Sequence, residues 1–437
     1  MTDYVIIGSG TAGIAAVEAI RSQDQYSGIT LISNEREGFY SRPGLAYYLN
    51  GELTETNLFP FSKHYFNELR CRRLHAEVSA IVPSQNMIQL QGGAQIPYKR
   101  LLIATGASAA RMDIPGIDLH GVVKLDNISD ARQIRKLARR GKRAVVIGGG
   151  ITALEIVEGL VANKVKTHYF LRGDRYWSNV LDDTESRIVE HRLKEEGVNI
   201  HYQTSLERIY EKRGRITGVR TKTGQDIKCD LLAYAIGIRP RVELAKACGL
   251  EIDRGILVNQ HQQTNQPAIY AAGDVAQVYD PTTGSYAIDS LWGPAREQGW
   301  IAGLNMAGAN QAYIRGIPFN VTRLANLTTT IIGTVGKGKD DDLHGIARGD
   351  SEVWRQLPDA IAVQSGFDVN HIRLILGDNS LLGSIIMGDQ TLSQPLRELI
   401  NHNVPITSIR EKLLEPKAPL CDLIIDHWSG WKNGHAN

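Results

Sequence analysis

Tyr4-Val5-Ile6-Ile7-Gly8-Ser9-Gly10-Thr11-Ala12-Gly13 opens the chain with an apolar run that ends in a glycine turn. The run predicts a buried strand over Tyr4 to Ile7, and the GxGxxG pattern a turn over Gly8 to Gly13. A helix follows from about Thr11 to Arg21, and Ile29 to Ser33 reads as a second strand. Each glycine has a physical task. Gly8 makes the tight turn, Gly10 lets a pyrophosphate approach the backbone, and Gly13 lets helix and strand pack closely. The helix N-terminus, at Thr11 and Ala12, offers unpaired N–H groups and a positive dipole end to phosphate. Glu35 closes the second strand, where its carboxylate can accept hydrogen bonds from an adenosine ribose.

Beyond the turn-rich joint Asp113-Ile114-Pro115-Gly116 the same grammar starts again. Arg143 to Ile147 is another buried strand, and Lys166 to Leu171 another second strand. Between them, Gly148-Gly149-Gly150-Ile151-Thr152-Ala153 fits GxGxxA, with Gly148, Gly150 and Ile151 at the turn and helix start. The echo predicts an α/β fold with two Rossmann-like nucleotide-binding domains, the second inserted into the first, and a small α+β domain at the C-terminus. The second unit lacks the acid after its second strand. Arg172 stands there instead, followed by Gly173-Asp174-Arg175. An acid would hold the free ribose of NAD and repel a 2′-phosphate, whereas arginine can bind that phosphate. Arg172 and Arg175 are therefore either phosphate ligands that favour NADPH or solvated loop charges.

Length and composition agree with this organisation. At 437 residues the chain is long enough for about three domains. A formal net charge of +2 gives no electrostatic reason to expect nucleic acid or an anionic membrane as partner. No apolar run approaches the roughly 18 residues of a membrane span, and the opening strand leaves no room for a cleavable leader. The cytoplasm is the expected compartment. Cys71, Cys229, Cys248 and Cys421 are far apart, and the 12 histidines are scattered, so no metal site is expected.

The texture changes near Val321. His371 to Leu376 and Leu381 to Met387 flank Gly377-Asp378-Asn379, which predicts a hairpin. Two helices are expected after it, around Pro395 to His402 and Ile406 to Leu414, with Pro405 and Pro416 as breakers. The expected domains are residues 1–112 with 236–320, then 113–235, then 321–437.

FAD and NAD share the glycine fingerprint, and the downstream motifs choose between them. Ile269-Tyr270-Ala271-Ala272-Gly273-Asp274 resembles the strand ending in Gly-Asp of the two-Rossmann pyridine-nucleotide-dependent flavoprotein reductases. Ile103-Ala104-Thr105-Gly106 and Ala235-Ile236-Gly237 are similar to that family's two connecting segments. Trp292-Gly293-Pro294-Ala295, with Gln298-Gly299, is similar to the helix it points at the flavin. The resemblance implies FAD on Gly8, Gly10, Gly13, Glu35, Ala104, Thr105, Gly106, Gly237, Gly273, Asp274 and Trp292. It implies NAD(P)H on Gly148, Gly150 and Arg172, with Glu155 close to the nicotinamide or simply an acid of the helix's first turn.

Within the family, the chain most resembles rubredoxin reductases and the flavin domain of nitrite reductase. Tyr40-Ser41-Arg42-Pro43 is similar to their Tyr-x-Arg segment near the isoalloxazine. It also departs from its relatives. The redox cysteine of thiol and peroxide reductases is replaced by Pro43 before Gly44-Leu45, and the lysine beside the flavin by Tyr47. Arg42 either supplies the missing charge there or is a surface arginine. Three functions remain open on this basis: electron transfer from NAD(P)H through FAD to a redox protein or enzyme subunit, reduction of oxygen or quinones, or a flavin-bearing structural or sensing subunit. Residues 321–437 form either a docking surface or a homodimer interface.

Overall fold

The computed structural model describes residues 3–280, 284–335, 370–415 and 418–435. It divides into two compact units. One comprises Met1–Arg111, Asp126–Ala131 and Ile236–Arg315, and the other Met112–Leu125, Arg132–Ala235 and Gly316–Asn437.

The first unit is built on a five-stranded parallel sheet with Tyr4–Ile7 at its centre. Ile29–Ser33 and then Cys71–His75 lie on one side of that strand, and Arg100–Ile103 and then Ile269–Ala271 on the other. The strand pattern is apolar on both faces because both are covered, as parallel sheets require. The Thr11–Gln23 helix covers one face and carries Ile14, Val17 and Ile20 into the core. Each such side chain contributes about 1.5–3 kcal/mol by leaving water. A second helix, Trp292–Met306, lies on the Thr11–Gln23 helix at a separation only glycine permits. A Cβ on Gly299 would stand 2.1 Å from the Ala12 carbonyl oxygen, and one on Gly303 2.5 Å from that of Ala16.

The second unit repeats the plan. Its parallel sheet runs Asn199–His201, Lys166–Phe170, Arg143–Ile147, Leu231–Tyr234, Val122–Lys124, again with the glycine-turn strand in the middle. The Ile151–Ala162 and Asp183–Glu195 helices belong to this unit, as does an antiparallel meander of Leu206–Lys212, Arg215–Thr221 and Asp226–Lys228. The meander's Ile209, Ile216, Val219 and Ile227 share one core with Val145, Phe170 and Leu232 of the sheet.

The expected hairpin His371–Leu376 and Leu381–Met387 is present. It is half of a four-stranded antiparallel sheet whose other strands, Phe319–Leu324 and Leu327–Gly333, the sequence reading did not anticipate. Ala325 and Asn326 join those two strands with φ of 48° and 60°. That is the left-handed pair of a two-residue hairpin turn, here without the usual glycine. The helices expected after the hairpin are Ser393–Asn401 and Arg410–Leu414, and a third, Leu420–His435, follows them. Pro416 lies outside the described residues. This segment is tied to the rest of its unit by polar contacts. Arg192 donates to the Ala325 carbonyl (2.7 Å), the Asn326 N–H to Glu158 (3.2 Å), and Arg373 to the fully buried Glu185 (2.9 Å).

Candidate functional site

The first glycine turn separates three glycines by three environments. Gly8 has φ +112°, and a Cβ there would lie 2.1 Å from the Ala104 carbonyl oxygen. Gly13 would place a Cβ 2.0 Å from the Gly8 oxygen. Around Gly10 a Cβ would meet nothing within 4 Å. Gly8 and Gly13 are thus demanded by the protein's own packing, whereas Gly10 borders open space. The helix starts at Thr11 from Gly10 as N-cap, with no side-chain capping bond. Its first N–H groups are left for another acceptor, which suits a phosphate.

The second strand leads to Glu35, and the structure gathers Tyr40 and Arg42 onto its carboxylate. The Tyr40 hydroxyl donates to one oxygen (2.8 Å) and the Arg42 guanidinium to the other (2.5 Å). Arg42 also donates to the Asp126 carbonyl (2.5 Å), and the Ile128 N–H donates to the Tyr40 hydroxyl (3.2 Å). Burial, opposed by the Arg42 charge and joined by the Glu35 carboxylate, pushes the Tyr40 phenol well above its ordinary range, so it stays a donor to Glu35. Asp126 in turn meets Arg241 at 3.4 Å, and Arg241 reaches the Thr105 carbonyl and the Ser108 hydroxyl. Asp126 and Arg241 were not singled out in the sequence.

Ala104, Thr105 and Gly106 follow the Arg100–Ile103 strand. The Ala104 N–H donates to the Ile7 carbonyl, and the Thr105 hydroxyl to that of Arg241. Gly106 has φ +66° and Gly237 φ +113°. The Ile269–Ala271 strand delivers Gly273 (φ +79°) beside the glycine-turn helix, where a Cβ would stand 3.1 Å from Ala12 Cβ. The buried side-chain oxygen of Gln298 accepts the Gly273 N–H at 2.9 Å, which fixes the backbone just before half-buried Asp274. Trp292 is the first residue of its helix, and its ring meets Phe39 edge-on at 5.8 Å. Tyr47 lies within the Gly44–Asn50 helix, almost fully buried.

In the second unit, Gly148 has φ +147°, and a Cβ there would lie 2.2 Å from the Ala235 oxygen. The Ile151–Ala162 helix starts from Gly150, again without a side-chain cap, and buries Ile151 and Glu155. The Asp183–Glu195 helix of the same unit, by contrast, carries a complete capping box from Asp182 and Glu185. Arg172 follows the Lys166–Phe170 strand by two residues. It is exposed, with no side-chain hydrogen bond or ion pair among the described residues. Arg175 does not join it. That guanidinium turns back on its own loop, to Asp174 (3.3 Å), Asp183 (3.5 Å) and the Ser178 carbonyl (3.2 Å).

All four cysteines are free thiols. Burial pushes the Cys71 thiol up to about 11 and that of Cys229 to about 12, far from the range of a reactive thiolate. Among the described residues no cluster of three potential ligands could hold a metal ion, and no helix is long and apolar enough to cross a membrane.

Comparison with known proteins fits this geometry. The chain is 29% identical over 401 residues to the ferredoxin–NAD(+) reductase component of the anthranilate 1,2-dioxygenase system of Burkholderia cepacia, covering 89% of this chain and 97% of that one. It is 30% identical over 274 residues to a rubredoxin–NAD(+) reductase of Pseudomonas putida, covering 62% of this chain and 71% of that one. A crystal structure of a ferredoxin reductase from Rhodopseudomonas palustris superposes with a TM-score of 0.82 at 23% identity, over 98% of this chain and 100% of the other. The profile of the pyridine nucleotide-disulphide oxidoreductases, a family that uses FAD and NAD(P)H, matches residues 2–299. The chain belongs to the pyridine nucleotide-disulphide oxidoreductase family.

Proposed function

We propose that this chain oxidises NADPH on its second glycine turn, reduces FAD held on its first, and passes the electrons to a separate small redox protein. The observation that carries the proposal is the pair of uncapped helices that start on glycine at the centre of two parallel sheets. Bound FAD would supply the chemistry, because it accepts one hydride, which carries two electrons, and can release those electrons singly. The chain's own residues bind and orient. Gly8, Gly10, Thr11, Ala12 and Gly13 cradle the FAD pyrophosphate, and Glu35, held by Tyr40 and Arg42, accepts from the adenosine ribose. Ala104, Thr105, Gly106, Gly237, Gly273, Asp274 and Trp292 complete the flavin site with the buried Tyr47, while Arg42 commits its charge to Glu35 at the adenosine end rather than to the flavin ring. Gly148, Gly150 and Ile151 receive the nicotinamide nucleotide, Glu155 lies by its nicotinamide, and Arg172 meets its 2′-phosphate.

The domains that follow from this assignment are residues 1–112 with 236–320 for FAD, 113–235 for NADPH, and 321–437 for docking a partner or a second copy. The cytoplasm, where NADPH and reduced redox proteins are at hand, is the compartment that suits the activity. The ferredoxin and rubredoxin reductases among its relatives favour a protein acceptor over quinone or oxygen. The test is steady-state NADPH oxidation with a ferredoxin, a rubredoxin, a soluble quinone and oxygen as alternative acceptors. A kcat/KM at least tenfold higher for one of the proteins is expected. Equal or faster turnover with quinone or oxygen would overturn the protein-acceptor assignment.

A further inference from the structure

At the edge of the second sheet opposite its glycine turn, two tight turns bring three cations around one cleft. The cleft has a volume of about 370 Å³ and is lined by Arg140, Gly141, Lys164 and Lys166. That volume falls in the range of small-molecule sites. Arg140 and Gly141 belong to the turn that enters the Arg143–Ile147 strand, and Gly141 has φ +85°. Lys164, at φ +59°, belongs to the turn that enters the Lys166–Phe170 strand. A hydrogen bond from the Lys166 N–H to the Lys142 carbonyl, 2.9 Å, staples one turn to the other. The backbone beneath the three cations is therefore fixed before any ligand arrives.

Their charge is not neutralised from within. The nearby acid, Asp230, is already committed to Lys142 (3.2 Å) and Arg143 (3.8 Å), and it also accepts the Arg143 N–H. Arg139 turns its guanidinium to the Lys136 carbonyl. Arg140, Lys164 and Lys166 have no side-chain hydrogen bond or ion pair among the described residues. Like charges brought to one concave surface raise its potential and concentrate counter-ions there. The five-residue strand between this cleft and the Gly148 turn spans about 16 Å, so one nucleotide phosphate cannot occupy both.

We propose that this cleft binds a small, multiply charged phosphate-bearing anion, at a site separate from both glycine turns. The test uses the FAD-loaded protein saturated with NADP⁺, titrated with inorganic pyrophosphate in a calorimeter at low ionic strength. Saturable binding of one equivalent is expected, weakened at least tenfold in R140E/K164E. The single neutral variants R140Q and K166Q, which change only exposed groups, should each weaken it by a smaller step. Absence of saturable heat would overturn the proposal. So would an affinity unchanged in all three variants, which would assign the binding to another part of the molecule.

Discussion

The two glycine turns do the same work at one position and different work at the next. At Gly8 and Gly148 the end of a neighbouring strand presses its carbonyl oxygen to within 2.1 and 2.2 Å of where a side chain would begin. Nothing but glycine fits either place. At the third position of the motif the units part. Gly13 would drive a Cβ to 2.0 Å from Gly8, yet Ala153 carries its methyl group in the corresponding place of the second unit. The second turn thus leaves room for a methyl group where the first leaves none. The third residue of the fingerprint measures a packing distance, while the second, represented by open Gly10, leaves room for a ligand. The far ends of the two second strands differ in charge as well: Glu35 is gripped by two side chains, and Arg172 is held by none among the described residues.

The first way to break this comparison is to exchange the third residues. Gly13→Ala forces a methyl onto a backbone carbonyl, and overpacking of that kind costs about 1–3 kcal/mol or more. The variant is expected to purify colourless with a lowered melting temperature. Ala153→Gly should cost only about 1 kcal/mol, the helix-propensity difference, and keep its flavin. Equal damage from both exchanges would mean that the two helices pack alike.

The charge contrast is tested at Arg172. A charge-assisted contact to a phosphate contributes about 1.5–3 kcal/mol, so Arg172→Glu should lower kcat/KM for NADPH on the order of ten- to a hundredfold. NADH should be spared, and the two rates measured side by side decide the matter. A smaller effect is expected at Gln298. Gln298→Leu leaves the Gly273 N–H buried without its acceptor, and a loss of about tenfold in FAD affinity should follow by fluorescence titration.

The smallest effect belongs to a histidine pair found in the second sheet alone among the described parallel strands. His168 Nδ1 and His201 Nε2 are 2.9 Å apart, and burial lowers both pKa values below the ordinary 6.5, with His201 and Arg143 also opposing charge on His168. Above pH 6.5 both the folded and the unfolded chain hold these rings neutral. As pH falls below 6.5 the unfolded chain takes up protons that the folded one resists, so stability should decline. Melting temperature against pH should show that decline in the parent protein and a flatter curve in His168→Gln.

Much of the fold was legible because it is written in local grammar. Tyr4–Ile7, Ile29–Ser33 and Arg143–Ile147 fall where their apolar runs place them, since a strand covered on both faces needs no partner's sequence to be recognised. The hairpin at Gly377-Asp378-Asn379 carried its own turn residues. The strands Phe319–Leu324 and Leu327–Gly333 did not, because Ala325 and Asn326 make the turn without glycine. Leu420–His435 has glycines at 430 and 434, which hide a helix that packing holds. In the candidate site, Asp126 and Arg241 are joined to Arg42 and Thr105 only through space, and no spacing in the sequence announces such contacts. Arg175 misleads in the other direction, since only the folded loop shows that its charge is spent on Asp174 and Asp183.

The most direct test of the central claim, that one glycine turn serves FAD and the other the nicotinamide that reduces it, is an anaerobic titration of the yellow protein with NADPH. One equivalent should bleach the flavin absorbance completely in the parent protein. In a Gly148→Val variant that retains its FAD, the absorbance should persist. Flavin that stays oxidised in the parent, or bleaches as readily in the variant, would contradict the account.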